Sequence, residues 1–323
     1  MKRREFLALI GGATTWPVAV GAQKSPGKVW RVGYLTPSSR SDQGMTTFDA
    51  WKGKMRDLGY LEGQNLIIDL RFGDNDFSRL PRISEDLVAA HPDAIVAIAT
   101  PAVSALQKAT STIPIVMANN GDPVGSGLIK SLARPGGMIT GTANMTVDYL
   151  PKTIELLREL LPGVRRVAAL MSANPVHPIM FRAAEIAATT IGIDLLPAIA
   201  NSASDLEATF AKIVSAKCEV IVVFTDAIRD GIVPLAAAAR LPAIYQDGQF
   251  VDVGGLISYG ANQRAGVVQT AVYVDKILKG ADPADLPVEQ PTVFELKINL
   301  RTAKALGVTV PLALITRADA VIE

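Results

Sequence analysis

AIVAIATPAVSALQKATSTIPIVMANNGDPVG, residues 94–125, reads as a strand, a helix and a second strand in succession. Residues 94–99 and 115–118 are short, continuous apolar runs rich in Ala, Val and Ile, the pattern of strands buried on both faces of a parallel sheet. Between them, residues 103–109 have helical spacing, and each strand gives way to polar turn residues.

The same alternation extends outward in both directions. Upstream, residues 32–36 and 66–72 read as strands and 46–58 and 80–90 as helices; downstream, 139–142 is a fifth strand. A helix at 148–161, closed by Pro162-Gly163, then separates this run from a second one. There, strands are expected at 167–171, 195–200, 220–225, 243–245 and 256–259, with helices at 178–191, 204–216 and 227–239. Two successive βαβ runs of similar length predict an α/β fold with two doubly wound parallel-sheet lobes. A helix at 265–278, a period-two run at 293–299 and a short helix at 300–306 must then find places on lobes already begun, so several connections should cross between the lobes and form a hinge.

Composition agrees with this class. The chain has 323 residues, 49% hydrophobic but only 6% aromatic, enough for two domains of ordinary size. Its formal charge is +1, and without residues 1–22 there remain 29 basic and 30 acidic residues. No basic stripe is present to meet a phosphate backbone, so nucleic acid is not expected as a partner. Cys218 is the single cysteine, which excludes an intramolecular disulfide and a cysteine metal cluster; it reads as a small buried residue at a strand start.

Residues 1–22 read as an export signal. Lys2, Arg3 and Arg4 form a basic start, residues 7–13 are apolar but too few to span a bilayer, and Val20-Gly21-Ala22 offers small residues for cleavage before Gln23. The Arg3-Arg4 pair followed by Phe6-Leu7 has the spacing of a twin-arginine signal, with an ordinary secretory signal as the alternative. No cysteine near the cleavage point could carry a lipid, and no later run is long enough for a span. The expected product is therefore periplasmic, without stable membrane insertion.

Ligands of open α/β sheets collect beyond the carboxyl ends of the strands. The residues there are candidates for binding: Thr36; Thr100, Pro101 and Ala102; Asn119, Asn120 and Asp122 in the first half; Ser172 and Asn174, Thr225 and Asp226, and Asp247 after Gln246 in the second. Thr100 reads as a helix N-cap with Pro101 in the first turn, which would aim backbone amides at a carboxylate, although starting a helix is the ordinary use of such a pair. Asp122 fits either a ligand ammonium or a turn, and Asn119 fits ligand contact. Asp226 is either a second ammonium partner or the cap of the helix after it, and Ser172 and Asn174 have the same two readings.

Catalytic patterns are missing from the sequence. His91 and His177 are the only histidines, too few for a triad or a metal site, and there is no Gly-x-Ser-x-Gly elbow, P-loop lysine or His-Glu-x-x-His. Gly121–Gly127 is glycine-rich but lacks dinucleotide spacing, so no cofactor is expected.

Longer motifs carry a family resemblance: Leu58-Gly59-Tyr60 with Glu62-Gly63-Gln64-Asn65, Thr110-Ser111-Thr112-Ile113-Pro114, Gly121-Asp122-Pro123-Val124-Gly125, Leu132-Ala133-Arg134-Pro135-Gly136-Gly137, Pro242-Ala243-Ile244-Tyr245 and Thr302-Ala303-Lys304-Ala305-Leu306-Gly307. Over residues 29–323 the chain resembles ABC-transporter substrate-binding proteins of the tryptophan/tyrosine-type uptake family. The resemblance implies a type I periplasmic-binding-protein fold with a three-segment hinge, lobes formed by 29–145 plus about 260–288 and by 146–259 plus about 289–323, and a binding role for Thr100, Pro101, Ala102 and Asp122 and, more loosely, for Ser172, Asn174, Thr225 and Asp226. It implies a monomer that closes on a small-molecule ligand and delivers it to an ABC permease with its ATPase. A periplasmic sensor domain of the same fold is the alternative, and an α/β enzyme the remote one. The sequence departs from the family at Met117-Ala118-Asn119-Asn120 and at Gln246-Asp247-Gly248-Gln249, which predicts a more polar pocket. A polar amino acid, a small carboxylate or a nitrogenous heterocycle is then as good a ligand as an aromatic amino acid.

Overall fold

The computed structural model describes residues 28–225 and 231–323. Chain order in the first half is β1 (Trp30–Thr36), α1 (Asp42–Asp57), β2 (Leu66–Phe72), α2 (Leu80–Ala89), β3 (Ala94–Ile98), α3 (Ala99–Ala109), β4 (Ile115–Asn120) and β5 (Ile139–Ala143). These strands form one all-parallel sheet in the order β2-β1-β3-β4-β5. Ala94–Ala97 and Ile115–Ala118 are buried, which is why both were legible as unbroken apolar runs.

The second half repeats the pattern: α4 (Thr146–Leu160), β6 (Arg166–Met171), α5 (His177–Thr190), β7 (Asp194–Ile199), α6 (Leu206–Ser215), β8 (Val220–Val223), α7 (Ile232–Ala238), β9 (Ala243–Tyr245), α8 (Gln249–Asp252) and β10 (Ile257–Ala261). Its strand order, β7-β6-β8-β9-β10, has the same 2-1-3-4-5 winding as the first sheet. Each sheet thus reverses direction at one point, beside its first strand, and opens a crevice at its carboxyl edge.

The last third is shared. α9 (Gln263–Leu278) packs on α1, β3, β4 and β5, burying Val267, Ala271, Val274 and Ile277 against the first sheet. β11 (Phe294–Asn299) instead pairs antiparallel with β10, and after α10 (Leu300–Leu306) and α11 (Leu312–Arg317) the chain ends in β12 (Ala320–Ile322), parallel to β11. Sequence reading finds neither α8, α11 nor β12, because segments of three to six residues carry too little periodicity.

Glycine at 141 is a steric requirement: its φ is +129° and a Cβ there would sit 2.2 Å from the Met117 carbonyl oxygen on the neighbouring strand. α9 is tied to the loop after α1 by the Tyr60 hydroxyl, which donates to Asp275 Oδ1 at 3.0 Å while Lys279 pairs with the same carboxylate at 2.7 Å. Burial, then the hydrogen bond to Asp275 and its charge, push the Tyr60 phenol up to about 12. A phenol raised in this way contributes stability that is complete below about pH 10, the value of an unfolded tyrosine, and is lost as pH rises through about 12. Urea midpoints measured across that window should fall less steeply for Tyr60→Phe than for the wild type; parallel curves would show that the phenol carries no such linkage.

Candidate ligand-binding site

The two carboxyl edges face one another across a gap, and the local backbone explains which side chains reach it. In the first lobe, Ser39 N–H donates to Asn75 Oδ1 at 3.2 Å and Asn75 Nδ2 returns a bond to Ser39 Oγ at 3.1 Å, so the loop after β1 is held open with Thr36 and Ser38 on the wall. At the end of β3, Ala99 adopts φ +62°, a left-handed conformation that costs a residue with a Cβ roughly 1–2 kcal/mol. At the end of β4, the register against β5 slips between Met117 and Asn120, and Asn119 takes φ +57°. That irregularity re-aims Asn119 into the gap, where its Nδ2 donates to the Gln263 carbonyl at 3.2 Å.

In the second lobe a buried histidine sets the loops. His177 is fully buried; its Nδ1 receives the Ser172 backbone N–H at 2.8 Å and its Nε2 lies 3.1 Å from the Thr225 carbonyl. A backbone N–H can only donate, so Nδ1 is the acceptor and Nε2 carries the proton given to Thr225. Ser172 Oγ in turn accepts from Asn174 N–H at 3.1 Å, and Asn174 Oδ1 accepts from Val176 N–H at 3.2 Å. Thr225 gives both its N–H and its hydroxyl to Gln246 Oε1, at 2.9 and 3.1 Å.

Two adjoining compartments of the gap are lined by strand-end residues. The first, about 40 Å³, is lined from the first lobe by Ser38, Thr100 and Asn119 and from the second by Thr146, Asn174 and Thr225, with Asn144 between them. No ionisable side chain occurs among its described lining residues. The second, about 100 Å³, has an apolar wall of Tyr34, Phe48, Leu70 and Phe72 under a rim of Thr36, Gln249 and Arg264. Ser38, Ile98, Asn119 and Gln263 line both, so the two spaces adjoin.

Thr100 lines the gap without capping α3, and several other residues expected from sequence lie elsewhere. α3 begins at Ala99 with Ile98 as its cap and no side-chain capping bond, so Thr100 is not the N-cap; it is a buried residue of the first turn lining the small compartment. Pro101 faces an outer groove with Ala173 and Pro175 on the seam between the lobes, and Ala102 is packed in the first-lobe core, because a helix turns successive residues about 100° apart. Asn120 is fully buried, with Nδ2 donating to the Ala118 carbonyl at 3.4 Å, and is not among the lining residues. Asp122 caps its own turn by accepting from Gly125 N–H at 2.7 Å and stands near Asp148, whose carboxyl is raised by burial and then by the charge of Asp122. Ser172 organises its loop from behind and lines an inner apolar pocket with Leu206 and Phe224. Asp247 lies in an adjoining cavity of about 280 Å³ with Arg264 and Lys297. Asp226 is outside the described residues, as are residues 1–22. Asn119 and Gln249, from the two loops that predict a more polar pocket, do line the gap, but Tyr34, Phe48, Leu70 and Phe72 of β1, α1 and β2 give it an apolar wall as well.

Residues 43–322 match the family of ABC transporter substrate binding proteins. The chain belongs to that family. This substrate-binding protein is 29% identical over 259 residues to the tyrosine-binding protein of Clostridioides difficile (strain R20291), a match covering 78% of this chain and 74% of that one. Among solved structures it is similar to a conserved domain protein from Vibrio cholerae, with a TM-score of 0.83 and 29% identity over 91% of this chain and all of that one. It is also similar to an ABC domain in complex with L-Trp from Streptococcus pneumonia, with a TM-score of 0.82 and 28% identity over the same shares. The substrate-binding protein therefore has the type I periplasmic-binding-protein fold. The family binds solutes for transporters and is exported. No helix among the described residues is long and apolar enough to cross a membrane.

Proposed function

We propose that this protein is the periplasmic solute-binding component of an ABC importer whose ligand is an amino acid with an aromatic or large apolar side chain. The observation that carries this reading is the junction of the two compartments, one neutral and polar with donors from both lobes, the other walled by Tyr34, Phe48, Leu70 and Phe72. A carboxylate seated on the first amides of α3 would gain from both the free N–H groups and the helix dipole. The side chain would stack or pack on the apolar wall. The names of the Clostridioides difficile relative and of the L-Trp complex support the same ligand class.

Closure then shifts an open–closed equilibrium toward the form that docks on a permease with its ATPase, and the protein acts as a monomer without a cofactor. Export through the twin-arginine route with cleavage near Ala22 fits residues 1–22. Thr36, Thr100, Asn119, Asn174 and Thr225 are the ligand-facing residues of the sequence-derived set. The lobe boundaries near residues 145, 260 and 289 are supported by the opposite allegiances of α9 and β11.

A thermal-shift screen of the chain from Gln23 onward tests this. Ligand at a hundred times Kd adds about 2.7 kcal/mol, a shift of several degrees for a protein of this size. L-tryptophan, L-tyrosine, L-phenylalanine or L-leucine should give the largest shifts, whereas shifts only with nucleobases or sugars would overturn the proposed ligand class.

A further inference from the structure

Asn144, which follows β5, is the side chain whose environment asks for a ligand most plainly. It is only 3% exposed, yet neither its Nδ2 nor its Oδ1 finds a partner among the described residues. A buried carboxamide with both ends unbonded is costly, and such groups in folded proteins call for an explanation. Its position supplies one. The backbone N–H of Asn144 donates to the Asn120 carbonyl at 2.9 Å, which fixes the residue at the mouth of the first sheet, and the residue lines the small compartment together with Ile98, Ala99 and Thr100 at the start of α3. α3 is eleven residues long and starts without a side-chain cap, so its first amides are open toward the same space.

We propose that Asn144 reads the head group of the ligand, an inference that rests on the cleft being the binding site. Nδ2 donates to a carboxylate already seated on the amides of α3, and Oδ1 accepts from the ammonium one carbon away. An α-amino acid presents a donor and an acceptor at that spacing. An amine without the carboxylate, or an acid without the ammonium, leaves one end of Asn144 unbonded again. The small compartment takes the head group, while the body of the ligand lies in the larger space beside it. Asn144 is therefore a specificity-determining residue: it selects the α-amino-acid head, and the apolar wall selects the body.

The test compares Asn144→Leu, which is close in volume and has no polar atoms, and Asn144→Asp, which keeps the acceptor and loses the donor. Binding of L-tryptophan, tryptamine and indole-3-propionate is measured by calorimetry, and of L-leucine, 3-methylbutylamine and 4-methylpentanoate as a second set. Wild type should prefer the amino acid to both truncated analogues by tenfold or more. Asn144→Leu should lose about 10- to 100-fold for the amino acid, the size expected for hydrogen bonds to charged groups, with no fall in the melting temperature of the unliganded protein. Asn144→Asp should favour the amine over the acid. If the indole set fails and the leucine set behaves as described, the aromatic body is wrong and the head-group assignment stands. The assignment is overturned if wild type binds no member of either set, if the analogues bind as tightly as the amino acid, or if Asn144→Leu melts lower while binding unchanged.

Discussion

Gly121→Val should raise the dissociation constant of the ligand by about 100-fold or more while leaving the core of each lobe intact. Gly121 follows β4 on the first lobe, and a Cβ built on it would lie 2.3 Å from Thr146 Oγ1 and 3.1 Å from Val176 Cγ2. Both neighbours belong to the second lobe, through α4 and the loop that starts α5. Neither can step aside cheaply: both are buried, and the Thr146 hydroxyl is turned onto Met180 Sδ at 3.6 Å. The larger side chain finds room only if the lobes separate. Disfavouring the closed form by about 2.7 kcal/mol reduces apparent affinity about 100-fold, because the competent population falls by that factor. Titration with the strongest hit of the screen, beside a melt of the unliganded variant, gives the answer. Unchanged affinity would mean that the ligand does not need this seam to close.

The second large effect is on stability. His177→Leu should cost about 2–5 kcal/mol, read as a lower urea midpoint at unchanged slope. The imidazole satisfies a buried N–H from Ser172 and a buried carbonyl from Thr225, and each group left unpaired costs about 1–3 kcal/mol. Its edge-on contact with Phe224, ring centroids 5.6 Å apart, adds to the loss. Because the same bonds fix the loops after β6 and β8, affinity should fall as well. His91 is the control: it is exposed at the end of α2, and His91→Ala should stay within about 0.5 kcal/mol. A His177→Leu midpoint equal to wild type would mean that water or backbone movement rescues both groups.

The fold was legible because central parallel strands are buried on two faces and appear as runs such as Ile95-Val96-Ala97 and Val220-Ile221-Val222-Val223. The strand-end rule also points to part of the candidate site, since Asn119, Asn174 and Thr225 stand at the ends or just beyond the ends of β4, β6 and β8 and line the gap. Applied to β5 and β10 as well, it points to Asn144 and Gln263. What the sequence does not disclose is rotation. Pro101 and Ala102 follow Thr100 by one and two residues, yet the helical turn sends one to the outer seam and the other into the core. Asp122 and Ser172 have side chains short enough to bond their own loops, and local geometry claims them before a ligand can. The apolar wall was out of reach for another reason: only the tertiary structure shows that Tyr34, Phe48 and Phe72, from β1, α1 and β2, border a space.

The most direct measurement is a crystal structure of the protein with the strongest ligand from the screen. The ligand should touch Thr100 and Asn119 on one side and Asn174 or Thr225 on the other, with its body against Tyr34 and Phe72. A ligand resting on one lobe alone, with the opposite strand ends left in solvent, would contradict capture between the lobes.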